Sequence, residues 1–192
     1  AGYFRYNADD KKIEVFDGTD WSSMDYAPSY VTSGLAMHFD AGNPNSYGGT
    51  GSTWSDLSQG GNDGSITGAS YNSEGYFTFD GSNDYVDLGN ALSVSTGDFS
   101  LSAWVNCNSF SDRRIIAQKG RAGSYAYVGY RLLLDPNRKI DFFTNGENNN
   151  QFSMLSSNPL SIDTWSLVTV TRSGSNAKIY LNSALEADSS GA

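Results

Sequence analysis

The sequence has a single cysteine, Cys107, and a single histidine, His38. One cysteine excludes a disulfide within the chain. One residue of each kind also excludes a zinc site built from several cysteines and histidines. A serine hydrolase triad would have to use His38, and the Gly-x-Ser-x-Gly turn that often presents such a serine does not occur in the sequence. The sequence therefore argues against both kinds of catalytic site.

Positive charge is scarce, and long apolar runs are missing. The 12 Lys and Arg residues are outnumbered by 21 Asp and Glu residues, which gives a net charge of −9. Such a surface repels a phosphate backbone, so we expect no nucleic-acid partner. No apolar run is long enough to cross a bilayer, so we expect no membrane insertion.

Aromatic residues and turn formers are abundant by contrast. The chain is 14% aromatic and contains 21 glycines. Apolar and polar residues alternate with period two in several short runs, such as 99–105 and 166–171, which predicts strands with one buried face. We predict an all-β fold, an antiparallel two-sheet jelly-roll sandwich. The expected core residues are Phe79, Leu101, Val105, Val168 and Leu181.

Residues 1–27 are predicted to form a small unit separate from a main domain over residues 28–192. Phe4 and Tyr6 precede a polar turn, and Ile13 and Val15 follow it, which predicts a β-hairpin. A hairpin of this size is marginally stable at best, so we expect it to pack against the main domain or another chain.

Two stretches of the hairpin segment have a distinctive pattern, residues 2–7 (GYFRYN) and 13–21 (IEVFDGTDW). In these residues the segment resembles a short unit of bacteriophage tail-fibre and virion-surface proteins. The resemblance implies a location on the virion surface, outside the cell, with other virion structural proteins as partners. Because phage fibres are usually homotrimers, it also implies a homo-oligomer, with a trimer favoured.

The main domain contains an ordered series of motifs: 33–42 (SGLAMHFDAG), 54–58 (WSDLS), 61–64 (GNDG), 77–86 (FTFDGSNDYV), 99–105 (FSLSAWV), 165–170 (WSLVTV) and 177–182 (AKIYLN). In these motifs it resembles the laminin-G-like branch of the concanavalin A-like lectin/glucanase superfamily. Family members usually continue past the last of these strands. The resemblance therefore predicts a domain truncated at its C-terminal end, with an open sheet edge after Leu181.

Two polar loops hold candidate metal ligands. Asp80, Asn83 and Asp84 lie within five residues, and oxygen ligands at such spacing suit Ca²⁺. Asp56 and Asn62 lie in the other loop and could join them. The resemblance implies calcium as the cofactor, because some relatives bind it at such a rim. The alternative is that these side chains form Asx turns without any metal.

Several aromatic side chains could bind a glycan. Trp104 and Tyr180 are predicted on the face opposite the core, where amphipathic rings can stack on sugars. We expect Tyr125, Tyr127 and Tyr130 to line the same surface. The alternative is that these aromatics form a second packed face.

A glycoside hydrolase needs two carboxylates at a set separation. The four glutamates do not share a strand, so we predict a protein without enzymatic activity. A glycoside hydrolase that uses a pair of aspartates is the alternative. The first hypothesis is a virion-surface structural or adhesion protein of a bacteriophage, a tail fibre, spike or capsid fibre, that presents a lectin-like domain to a cell-surface glycan. The second is a carbohydrate-binding module of a bacterial secreted or cell-surface protein.

Overall fold

The computed structural model is built from β-strands. It describes residues 3–7, 12–16, 19, 21–23, 32–92, 94, 97–108, 110–120, 129–145 and 151–189. All sixteen elements assigned in these ranges are strands, which confirms the all-β prediction. Within the same ranges no helix is long and apolar enough to cross a membrane.

The N-terminal strands form a sheet of their own. β1 (Tyr3–Asn7) pairs with β2 (Lys12–Phe16), as the predicted hairpin requires, and β3 (Trp21–Ser23) adds a third antiparallel strand. Arg5 donates a hydrogen bond to the buried Glu14, and its guanidinium lies 4.3 Å from the centre of the Trp21 ring. The domain boundary near residue 27, the packing partner of this sheet and the trimer stay predictions.

Two four-stranded antiparallel sheets form the sandwich of the main domain. Sheet I has the order β16-β15-β14-β9, and sheet II has the order β10-β11-β12-β13. The strands of sheet I are β9 (Phe99–Val105), β14 (Ser166–Ser173), β15 (Asn176–Leu181) and β16 (Ala184–Asp188). The strands of sheet II are β10 (Arg114–Lys119), β11 (Gly129–Leu134), β12 (Lys139–Asn145) and β13 (Gln151–Pro159).

The core lies between these two sheets. Val168 and Ile179 of sheet I and Leu132 and Phe142 of sheet II are fully buried in one cluster. Phe99 of β9 joins the layers, because its ring centre lies 5.6 Å from that of Tyr130 and 6.1 Å from that of Phe142. This arrangement is the predicted two-sheet sandwich.

The predicted core residues are found in the core with one exception. Val168 is fully buried, and Leu101, Val105 and Leu181 are half-buried and packed against the cluster. Phe79 is 45% exposed, so its assignment to the core was wrong. The strand β7 (Tyr76–Thr78) ends one residue before it, so the in-out alternation of that strand does not extend to Phe79.

The sheet edge expected after Leu181 is covered by another strand. β16 pairs with β15, with Tyr180 opposite Leu185, so β15 is not an edge strand. The carboxylate of Glu186 accepts hydrogen bonds from the backbone and side chain of Asn158, which ties β16 to β13 of sheet II. The expectation of an open edge at β15 was therefore wrong.

Smaller sheets position the polar loops. β4 (Thr53–Trp54), β5 (Gly64–Thr67) and β8 (Tyr85–Asp87) form one, and β6 (Ser70–Asn72) pairs with β7 in another. A chain of ring contacts with centre distances between 4.7 and 5.6 Å holds this region together. Its members are Phe39, Tyr47, Trp54, Tyr71 and Phe77.

Candidate functional site

An apolar stripe crosses the outer face of sheet I. It consists of Trp104 on β9, Leu167 on β14, Tyr180 on β15 and Leu185 on β16. Trp104 is 65% exposed and Leu185 is 53% exposed, whereas Leu167 and Tyr180 are half-buried. The alternation of β9, β14 and β15 explains the placement of Trp104, Leu167 and Tyr180, because their neighbours in sequence point towards the core. On β16 the register shifts, so Leu185 lies opposite Tyr180 on the outer face although Ala187, two residues later, packs against the core.

The strand register brings the four side chains together. Trp104 lies opposite Leu167, and Tyr180 lies opposite Leu185. Tyr180 is also opposite Thr169, which places it diagonally next to Leu167 across β14 and β15. Diagonal neighbours are within reach of aromatic side chains. With strands about 4.8 Å apart, the stripe spans about 14 Å, the whole width of the sheet.

Hydroxyl groups border the stripe. Ser102 and Thr169 are opposite each other, and their hydroxyl oxygens are 2.9 Å apart. The next row of the register pairs Ser100 with Thr171. Such groups can both donate and accept hydrogen bonds, so they match the hydroxyls of a sugar.

The charged groups of this face neutralise each other. Lys178 and Asp188 are opposite each other, with Nζ and Oδ2 3.1 Å apart. The hydrogen bond to Asp188, together with the charge of that carboxylate, raises the pKa of Lys178. Apart from this ion pair, the outer face combines exposed apolar groups with uncharged hydroxyl groups, and such a surface suits stacking on a sugar.

The structure separates the predicted ligand-binding aromatics. Trp104 on β9 and Tyr180 on β15 lie on the same outer face, with β14 between their strands. Tyr130 is 6% exposed within the core cluster, so its prediction as a ligand-binding residue was wrong. It alternates into the core with Leu132 and Leu134, and burial raises the pKa of its hydroxyl. Tyr125 and Tyr127 lie outside the described residues.

Sequence reasoning missed part of this surface. Leu167, Thr169 and Leu185 were not predicted, although the alternation of β14 already placed Leu167 and Thr169 opposite the core residue Val168. Their position beside Trp104 and Tyr180 depends on register. Trp165 is 43% exposed but is not part of the stripe, and its ring packs edge-on against Tyr76 at 5.4 Å.

The loop around Asp56 is organised by hydrogen bonds to one carboxylate. Asp56 accepts bonds from the backbone N–H groups of His38, Ser58 and Asn62 and from the Ser58 hydroxyl, at 2.8 to 3.0 Å. Partial burial works to raise the pKa of Asp56, but these bonds outweigh it and lower the pKa below its ordinary value. The side chain of Asn62 donates to the carbonyl of Ala36 instead of facing the Asp80 loop.

The second polar loop forms its own turn. Asp80 accepts bonds from the N–H groups of Ser82 and Asn83, and Asp84 accepts one from the N–H of Asp80. The bond from Ser82 is the largest cause that lowers the pKa of Asp80. These contacts are the Asx-turn pattern that was the alternative to a metal site.

The two loops lie at opposite ends of β5. Asp63, adjacent to Asn62, immediately precedes Gly64 at the start of this strand, whereas the Asp84 carboxylate lies against Gly68, just past its end. Four residues of strand span about 13 Å, so one ion cannot bind both loops. Asp56 and Asn62 therefore do not join Asp80, Asn83 and Asp84, which corrects the five-residue set.

Calcium at the Asp80 loop alone stays a prediction. The described ranges contain no cluster of three or more His, Cys, Asp or Glu side chains that could hold a metal ion. In Asp80, Oδ1 already accepts two backbone hydrogen bonds. The residues present fit a turn better than a calcium site, which needs 6 to 8 oxygen ligands.

Removing the Asp56 carboxylate should destabilise the domain. We expect Asp56→Ala to lower the free energy of unfolding by about 2 kcal/mol, because several donors lose a charged acceptor. Since the folded pKa of Asp56 is lowered, its contribution is complete above the ordinary value of 3.8 and is lost as the pH falls through the folded pKa. Urea unfolding measures the difference in unfolding free energy between Asp56→Ala and the unsubstituted chain. We expect this difference to be smaller near pH 3 than at neutral pH.

The matched control is Asp87→Ala. Asp87 makes one Asx-type bond, from the N–H of Gly89, so its loss should cost much less. Equal stability of Asp56→Ala and the unsubstituted chain would contradict the role given to Asp56.

Both carboxylates on the strands of sheet I bind other side chains. The strands of sheet I carry two, Glu186 and Asp188; the first is bound by Asn158 and the second by Lys178. A glycosidase acid must hold its proton near neutral pH through a raised pKa. In the two polar loops, the pKa values of Asp56 and Asp80 are lowered instead.

The chain was compared with known sequences, known structures and protein-family models. No curated protein sequence matches it. A solved structure of an S-layer domain-containing protein from Clostridium thermocellum is 20% identical; the match covers 80% of this chain and 71% of that one, with a TM-score of 0.48. Carbohydrate binding module CBM66 from Bacillus subtilis is 20% identical over 48% of this chain and 58% of its own, with a TM-score of 0.34.

A family model matches residues 80–192, which is more than half of the chain. The match begins well after residue 27, so the tail-fibre resemblance, and with it the virion-surface assignment, stays a prediction. The matched residues include every strand of both large sheets, and the sandwich is the fold that the resemblance implied. The chain belongs to the concanavalin A-like lectin/glucanases superfamily.

Proposed function

We propose that the chain is a carbohydrate-binding module without catalytic activity, and that it binds glycans on the outer face of sheet I. The observation that carries the proposal is the exposed Trp104 ring, next to hydroxyl groups and on the same face as Tyr180. An aromatic ring left this exposed gains free energy when the apolar face of a sugar ring covers it.

The distribution of carboxylates favours a lectin over a glucanase within the superfamily. β9, β14 and β15, which carry Trp104, Leu167 and Tyr180, contain no Asp or Glu. A retaining or inverting glycosidase needs two carboxylates flanking the scissile bond. A sugar that stacks on Trp104 would meet hydroxyls on its own and the neighbouring strand instead.

We propose a setting outside the cell. The module would be part of a bacterial secreted or cell-surface protein, where polysaccharides are accessible. The net charge of −9 favours solubility and disfavours nucleic acid as a competing ligand.

The Trp104→Ala variant tests the proposal. We expect it to weaken binding on a glycan panel at least about tenfold, because it removes the most exposed stacking surface of the stripe. Affinity electrophoresis in gels that contain polysaccharides measures the effect. The matched control is Tyr85→Ala, since Tyr85 is 53% exposed but lies on β8, in another sheet.

Two outcomes would contradict the proposal. One is glycan binding that the Trp104→Ala variant keeps in full. The other is self-association of the chain that Trp104→Ala abolishes in light scattering, because the stripe would then be a contact between copies.

A further inference from the structure

We propose that the apolar stripe binds uncharged polysaccharide chains that lie side by side in an insoluble surface, in preference to single soluble chains or acidic glycans. This inference rests on the proposed function and specifies its ligand. The shape of the outer face and the charge of its side chains support it independently.

The shape of the face is open at both ends. Trp104 is on β9 and Leu185 is on β16, the two outermost strands of sheet I, and both side chains are more than half exposed. Sites for small soluble ligands are usually clefts that surround most of the ligand. A stripe that extends about 14 Å across an open sheet instead contacts a ligand from one side. A ligand with a fixed surface can meet both ends of the stripe without being ordered first, whereas a flexible chain held from one side must be ordered on binding.

The charge of the face excludes acidic glycans. The four strands of sheet I carry four charged residues, and each is already engaged or buried. Arg172 is 2% exposed and faces the core, Glu186 binds Asn158, and Lys178 pairs with Asp188. A carboxylated or sulfated chain would meet no free cation here and would be repelled by a net charge of −9. The hydroxyls of Ser102 and Thr169 suit uncharged sugars.

The fixed order of an insoluble ligand adds a second reason. Ordering a flexible soluble chain on binding costs conformational entropy, and a flat site recovers little of it. Chains within an insoluble particle are already ordered, so they lose little conformational entropy when the protein binds.

The experiment compares insoluble and soluble probes with the full chain. Microcrystalline cellulose and chitin are pelleted and the protein left in solution is measured, beside titrations with cello- and chito-oligosaccharides and with alginate. We expect depletion by at least one insoluble polysaccharide, little binding to the soluble probes and a loss of at least about threefold in affinity for Leu185→Ala. Leu155→Ala is the matched control, because Leu155 is 48% exposed on β13 of the other sheet.

The outcomes separate this inference from the proposed function. Binding of an oligosaccharide or of alginate that depends on Trp104, without depletion by insoluble polysaccharide, would overturn the inference and leave the proposed function standing. Depletion that Leu185→Ala leaves unchanged would also overturn it. If no probe shows binding that depends on Trp104, the proposed function itself fails. Thermal melts of each variant check that the fold is kept.

Discussion

The Phe142→Ala variant should lose about 3–5 kcal/mol of unfolding free energy, the typical cost of truncating a buried phenylalanine. Phe142 is fully buried on β12, between Leu132 of β11 and Met154 of β13 in the strand register. Its ring also meets Phe99 of sheet I at a centre distance of 6.1 Å, so the cavity would open between the two layers.

Thermal and urea unfolding measure this effect. For a domain of this size the melting temperature should fall on the order of 10 °C. The control is Leu155→Ala on the neighbouring strand β13, where a side chain that is 48% exposed loses little burial. Similar losses in both variants would mean that the core does not lie between the two sheets as described.

The Gly129→Ala variant should destabilise the domain by about 3 kcal/mol, at the upper end of the cost of overpacking. Gly129 begins β11, and a Cβ there would overlap the backbone carbonyl oxygen of Lys119 on β10. The obstacle is backbone rather than the end of a flexible side chain. The pairing of β10 with β11 would therefore have to shift, and β10 is an edge strand of sheet II.

Gly48→Ala provides the comparison for this substitution. A Cβ at Gly48 has no neighbour within 4 Å, so that variant should be close to neutral. Amide hydrogen exchange should also accelerate in 114–119 of the Gly129→Ala variant, where the paired strand is disturbed. Unchanged stability and exchange would show that β10 and β11 do not approach each other as closely as the structure indicates.

These two variants bear on the proposed site through the sandwich that supports it. Val168 and Val170 of β14 are buried in the same core, and they alternate with Leu167 and Thr169 on the outer face. Packing on the inner side thereby fixes the strand that carries the middle of the stripe. The substitution Trp104→Ala should change binding with little effect on stability, because its side chain is mostly outside this core.

The alternation of single strands could be predicted from the sequence because it is a local property. Residues 99–105 alternate so that Leu101 and Val105 face one side and Trp104 the other, and the structure has this arrangement. The all-β class follows from such alternation, and the exclusion of an intrachain disulfide and of a zinc site built from several Cys and His residues follows from composition. None of these conclusions needs to know which strands are neighbours.

The neighbours of each strand were decided by the tertiary structure. Tyr130 and Trp104 are both aromatic residues of predicted strands. Tyr130 lies in the core because its side chain points towards the other sheet, whereas Trp104 is 65% exposed because its side chain points away from the other sheet. Asp56 and Asp84 looked like parts of one polar rim, yet β5 separates their loops. The stripe likewise exists only because strand register places Leu167 beside Trp104 and Leu185 beside Tyr180. Register and layer packing depend on contacts between residues far apart in the chain, which a local pattern does not encode.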